Sequence, residues 1–199
     1  MELFKKIITS VLAALLLTSC SSMNSGITIG DKEFSINDIQ KPVDEILEAR
    51  KSIDTSQMQL GSGADLIRNQ AQFAVISVLL DQIASDSKIN FTNADIATRR
   101  TEIVAQVGGE AGLPRALVSS NLAPSNLEPY IKVRLIIDKL NSDFIELGAS
   151  PEQASEGVSK LLVAAAKKLG VKVNPKYGKW NPETASIESG DITDGAVTP

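Results

Sequence analysis

Residues 171–180 read VKVNPKYGKW, and the fold turns on them. Val171 and Val173 flank Lys172 in the alternation of a half-buried strand, while Pro175 cannot donate to a ladder and confines that strand to a short edge position. Its partner lies at the opposite end of the chain. Residues 27–34 read ITIGDKEF, with matching alternation at Ile27 and Ile29 and a turn signal at Gly30-Asp31. Two short strands are marginal alone, so each needs the other and a helical layer beneath. The expectation is one mainly α domain over residues 27–180, with a small β element pairing the N-terminal and C-terminal segments.

Composition narrows the chemistry. The 199 residues are 43% hydrophobic but only 4% aromatic, enough for one modest core. The net charge is −4 and the lysines and arginines are scattered, which leaves no electrostatic footprint for nucleic acid. Histidine is absent, so histidine triads, HExxH zinc sites and imidazole general bases are excluded. The single cysteine has no partner for an internal disulfide.

That cysteine closes a targeting segment. MELFKKIITSVLAALLLTSC carries Lys5 and Lys6, an apolar run over residues 7–17, then small and polar residues up to Cys20. The run is shorter than the roughly 20 residues a transmembrane helix needs. Leu17-Thr18-Ser19-Cys20 resembles the bacterial lipobox, which implies a signal peptide over residues 1–19, cleavage before Cys20, and acylation of its thiol. Residues 20–26 then form a lipidated, flexible linker, and the protein sits on the extracytoplasmic face of a membrane.

Between the strands the apolar spacing is helical. Ser35 and Asp38 mark a helix start, followed by Ile36, Ile39, Val43, Ile46 and Leu47, with Pro42 expected to kink or break it near Lys41. Residues 52–63 read as a loop. Residues 65–86 form the most apolar helix, with Leu66, Phe73, Leu80 and Ile83 on one face and Val75, Val78 and Leu79 widening it, so it is the central core helix. Thr92 and Asp95 cap a helix lined by Ile96, Ile103, Val104 and Val107 and ended by Gly108-Gly109; Leu113-Pro114 opens a short one. Ser125 and Glu128 are expected to form a capping box for a helix with Tyr130, Val133, Ile137, Leu140 and Phe144 on one stripe. Ser150-Pro151 starts the last helix, with Ala154, Val158, Leu161, Leu162, Ala165 and Leu169 inward and Gly170 at its end. Residues 181–199, acidic and poor in apolar side chains, read as a disordered tail whose removal costs almost nothing.

Several short motifs carry little. Gly61-Ser62-Gly63 echoes a phosphate loop but lacks a preceding strand and a following GK[ST]. Ser85 and Lys88 have S-x-x-K spacing without the SDN and KTG companions of penicillin-recognising enzymes. Glu188, Asp191 and Asp194 lack EF-hand spacing, and Asn90-Phe91-Thr92 is a sequon by spelling alone.

The succession of a strand pair, a helix, a long apolar helix, FTNADIATRR, a glycine break, GLPRALVSSNL and LEPYIKVRLIIDKL resembles the N-terminal chaperone domain of SurA-type periplasmic folding factors. PrsA-like lipoproteins and the cradling arms of trigger factor are related to it in architecture. In that family a parvulin-type prolyl isomerase domain is commonly inserted before the final helix and strand, but here only residues 145–150 separate the two helices. The histidines such domains use are also missing. The resemblance therefore implies a membrane-anchored module that binds unfolded or exported polypeptides without isomerase activity, with no catalytic residue, cofactor or metal. The alternative is a structural or adaptor lipoprotein that docks one envelope partner through its helices. Cys20 is the one site residue this reading names, and Cys20→Ala should abolish acyl labelling and leave an unprocessed precursor; normal metabolic labelling of that variant would remove the lipid anchor.

Overall fold

The computed structural model describes residues 25–190; Cys20, the signal segment, residues 21–24 of the linker and residues 191–199 of the tail lie outside the described residues. The protein is mainly helical, 63% helix, with six α-helices and a small antiparallel sheet among the described residues. Strand β1 (Ser25–Ile29) lies in the middle of that sheet, between β2 (Lys32–Ser35) and β3 (Val171–Val173). Its register pairs Ile27 with Phe34 on one side and with Val173 on the other, and Ile29 with Lys32 and Val171. The expected union of the two ends of the chain is thus present, and β3 is an edge strand of this sheet. Alternation puts Ile27 and Ile29 on one face, where both are almost completely buried. A bulge falls between Ser25 and Ile27, and a Cβ on Gly26 would stand 2.9 Å from the Ser35 carbonyl oxygen, so that crossing accepts only glycine. Ser25 and Gly26, expected in the linker, are therefore part of the sheet, held further by Asn174, whose N–H donates to Gly26 O (2.8 Å) and whose Nδ2 donates to Ser25 O (3.0 Å).

The helices follow local signals closely. Helix α1 (Ile36–Arg50) begins with a Ser35/Asp38 capping box and buries Ile39, Val43 and Ile46. Of the expected kink or break at Pro42 the break is not made, a correction on that point: the missing N–H forfeits one hydrogen bond, and the buried stripe on both sides of it offsets that loss. Helix α2 (Gly63–Asp86) is the central element. Its Leu66 joins Val43, Ile46 and Ala123 in a small cluster, while Ala71, Val75, Leu79, Leu80 and Ile83 enter the main core with Ile27, Ile29, Ile136 and Val158. Helix α3 (Asn93–Gln106) carries the Thr92/Asp95 box, and α4 (Leu113–Ser119) has Pro114 in its first turn.

Helix α5 (Leu127–Glu146) departs from expectation at its start and on its face. The Ser125/Glu128 box is not made: Pro124–Asn126 is a 3-10 turn, and the Ser125 N–H donates instead to the Glu45 carboxylate at 3.0 Å. The buried stripe is Ile131, Val133, Ile136 and Leu140, which turns Tyr130 outward. Helix α6 (Pro151–Leu169) is capped by a Ser150/Gln153 box and returns antiparallel beside α5, close enough that a Cβ on Gly157 would meet the Phe144 ring at 2.8 Å.

The chain does not end its ordered structure at Trp180. Strands β4 (Lys179–Asn181) and β5 (Ser186–Glu188) form a second hairpin, contrary to the expectation of disorder from residue 181. Gln72 on α2 is its dock: its Nε2 donates to Ala185 O (2.9 Å), and the Ile187 N–H donates to its Oε1 (2.7 Å). Tyr177, Ala185 and Ile187 are buried together there, and Lys167 pairs with Glu183 at the rim. A chain stopped after Trp180 should lose Ile187 burial worth about 1.5–3 kcal/mol together with the Gln72 contacts. One stopped after Gly170 should lose β3 and Tyr177 as well, a large part of a typical stability of about 5–15 kcal/mol. Urea midpoints should rank in that order below the full chain; equal midpoints for the Trp180-terminated and full chains would contradict the docked hairpin.

Candidate functional site: a half-apolar cleft beside helix α3

Helix α3 is unusual in this molecule because none of its residues is buried. Its apolar side chains, Ile96, Ile103, Val104 and Val107, are only partly covered. Of the stripe expected from the sequence, Ile96, Ile103 and Val107 line clefts rather than a core. On one side of α3 lies a cleft of about 830 Å³, walled by Ile103 and Val107 of α3, Phe73 of α2, Leu113 and Leu117 of α4, and Leu127 and Tyr130 of α5. A smaller cleft of about 600 Å³ follows the other side, with Ile96 and Ala97 facing Leu127 and Ile131. Phe73, read from the sequence as core, packs against the main core and leaves only part of its ring on the cleft wall, and Tyr130 is 36% exposed at its rim.

The end of the larger cleft is polar and rigidly built. Gln70 is 5% exposed, the one buried polar residue among those described. Its Nε2 donates to Asn121 O (3.1 Å), and its Oε1 accepts from Asn126 Nδ2 (3.3 Å). Asn121, at φ 51°, turns the chain sharply after α4 and accepts on its Oδ1 from Arg50 Nη2 (2.6 Å), which also donates to Gly61 O (2.7 Å). The end of α1, the loop before α2, the end of α4 and the start of α5 therefore meet at one hydrogen-bonded knot. Sequence reading missed Gln70; the only signal was a glutamine one helical turn after Leu66, on a face otherwise apolar.

The rim is charged but neutralised in place. Arg99 donates to Glu102 (3.1 Å) and to Asp138 (2.6 Å), and Arg134 also reaches Asp138 (3.4 Å). The hydrogen bond to Glu102 and the nearby Asp138 carboxylate raise the Arg99 pKa. Asp95 is held below the usual carboxylate range by the Thr92 backbone N–H, and Glu110 by its hydrogen bond to Arg100. These are cap and ion-pair effects at solvent-exposed groups. Among the described residues no group of three or more His, Cys, Asp and Glu side chains is placed to hold a metal ion, and no described helix is long and apolar enough to cross a membrane.

The other motifs fall into structural places. Gly61, Ser62 and Gly63 precede α2, where Gly61 accepts from Arg50. Ser85 and Lys88 lie at the end of α2, where the Lys88 N–H donates to Ser85 O (3.2 Å). Thr92 serves as a cap, and Glu188 accepts from Asn181 within the β4–β5 hairpin (2.6 Å), while Asp191 and Asp194 lie outside the described residues. The connection between α5 and α6 is only residues 147–150. No protein-family model, no curated protein and no solved structure matches the chain.

The knot makes a definite demand on the fold. Gln70→Leu keeps the side-chain volume near its native value but leaves Asn121 O and the Asn126 amide without this partner, at a cost of about 1–3 kcal/mol. Urea unfolding should show a lowered midpoint with an unchanged slope, and an unaltered midpoint would show that the knot is not structural.

Proposed function

We propose that this protein is a membrane-anchored, extracytoplasmic lipoprotein that holds unfolded or exported polypeptides in the cleft beside α3, in the manner of a SurA-type chaperone domain without an isomerase. The observation that carries the reading is the cleft itself: partly exposed Phe73, Ile103, Val107, Leu117 and Leu127, with Tyr130 at the rim, surround about 830 Å³. Such a surface offers apolar contact interleaved with polar groups such as Asn69, Gln106 and Ser120, but no charged anchor of its own, because Arg99 and Arg134 are already paired. Binding is then expected to be sequence-tolerant and weak, near micromolar, about −8 kcal/mol. The anchor at Cys20 keeps the cleft close to the membrane where exported chains emerge. The brevity of the α5–α6 connection supports a module without an inserted enzyme domain.

A second reading, an adaptor docking one folded partner, draws on a different surface. Leu147 is 86% exposed and Ile145 47% exposed where α5 turns into α6.

The two readings separate by mutation. The unlipidated chain over residues 21–199 should slow aggregation of several unfolded model clients and leave the rate of a proline-limited refolding reaction unchanged. Ile103→Asp or Tyr130→Asp should remove most of that effect, whereas Leu147→Ser should keep it. Loss of the effect on Leu147→Ser with retention in the cleft variants would move the binding surface to the α5–α6 turn, and acceleration of proline isomerisation would overturn the absence of enzyme activity.

A further inference from the structure

Helix α3 has the construction of a moving part. Its neighbours on either side in sequence are fixed: Phe91 packs against the main core, and Leu113 and Val118 of α4 are buried. Between them α3 buries nothing. It stays helical through devices of its own, namely the Thr92/Asp95 capping box, the Thr101 hydroxyl donating to Ala97 O (3.0 Å), and the Arg100 guanidinium held by Glu110 in the turn that follows (2.6 Å and 3.1 Å). With no residue of its own buried, the helix has little side-chain packing to break when it shifts as a unit. The glycine turn at its end, with Gly108 and Gly109 at φ 90° and 83°, is closed onto the helix by the Gly109 N–H donating to Val104 O (2.8 Å), so a shift of α3 carries that turn with it. Clefts on both of its sides leave it room in either direction.

Among the described residues a single salt bridge ties α3 to the body, Arg99 to Asp138 of α5 at 2.6 Å. Arg134 and Glu102 extend it into a four-residue network of alternating charge. We propose that α3 is a hinged wall, latched to α5 by this network, whose swing sets the width of the cleft. With the latch made, as here, Ile103 and Val107 face Leu127 and Tyr130 across the cleft. Open, the same side chains face an incoming chain, and the polar knot at Gln70 stays where it is because it belongs to α1, α2, α4 and α5 alone. The cleft would then fit segments of different bulk without repacking the core. This deepens the client-binding reading and takes its purpose from it, but the motion is measurable without any client.

The test is a pair of distances in the full chain carrying Cys20→Ala, with spin labels read by pulsed electron resonance. One pair, Thr98→Cys and Ser159→Cys, spans α3 and α6; the control pair, Glu128→Cys and Ser159→Cys, spans α5 and α6, and all three positions are exposed. The α3 pair should give a broader distribution than the control. Arg99→Glu should raise its longer-distance population by up to about five-fold, the range open to an exposed ion pair. The charge swap Arg99→Glu with Asp138→Arg restores opposite charges across the gap and should narrow the distribution again, which an unfolding artefact in either single variant would not do. An α3 distribution as narrow as the control, no response to Arg99→Glu, or no recovery in the swap would each overturn the hinge. Adding an unfolded client should collapse the distribution to one population; a hinge that responds to the charge variants but not to any client leaves the latch standing and removes the client reading.

Discussion

Strand β1 is the constraint on which the rest depends, because it is paired on both edges. Its partners are separated by almost the whole described chain: β2 follows it across a tight turn, and β3 arrives only after six helices. Closing the sheet therefore means bringing β1 and β3 together across six helices, and the closed sheet in turn covers the helical body. Ile27 and Ile29 express this coupling, since they are buried between the sheet and helices α1 and α2 while their backbones bond to both ends of the chain. Closing so long a loop costs entropy that grows only slowly with length. Against it stand the buried faces of two strands and the hairpin that follows. The β4–β5 hairpin completes the closure by seating Ile187 on α2 through the Gln72 amide, which bonds the hairpin backbone as a neighbouring strand would.

Much of this was legible because the deciding signals are local. The period of two at Ile27, Ile29, Val171 and Val173 and the caps at Ser35, Thr92 and Ser150 depend on residues within a few positions of one another, and each forms as read. What failed depends on residues far apart. Ser125 has the spelling of a capping box, but its N–H is taken by Glu45 from α1. The residues KWN and SIE are too short to announce a hairpin, and Ala185 turns at φ 52°, a conformation for which alanine gives no warning. Pro42 reads as a kink or a break, and the buried stripe of α1 carries the helix past it unbroken.

The cleft was hidden for a different reason. A stripe such as Ile96, Ile103, Val104 and Val107 looks the same in sequence whether it enters a core or walls a groove, because periodicity reports a face and not what covers it. Only the arrangement of α2, α4 and α5 decides that α3 is left half-covered. The resulting surface is part apolar and part polar, with the charges at its rim mutually paired. Its polar end is not adaptable, since Gln70, Asn121, Asn126 and Arg50 hold one another in place. The proposed swing of α3 beside this hydrogen-bonded end would serve a site for varied polypeptides, while a site for one folded partner would gain affinity from having both walls fixed.

The measurement that bears most directly on this account is photo-crosslinking from the cleft in intact cells, with a benzoylphenylalanine placed at Ile103 or at Tyr130 and a control at Leu147. The account predicts a spread of adducts of many masses from the two cleft positions, identified as exported polypeptides, and few from Leu147. A single stoichiometric adduct from the cleft, or a rich set from Leu147 with none from Ile103 and Tyr130, would contradict it.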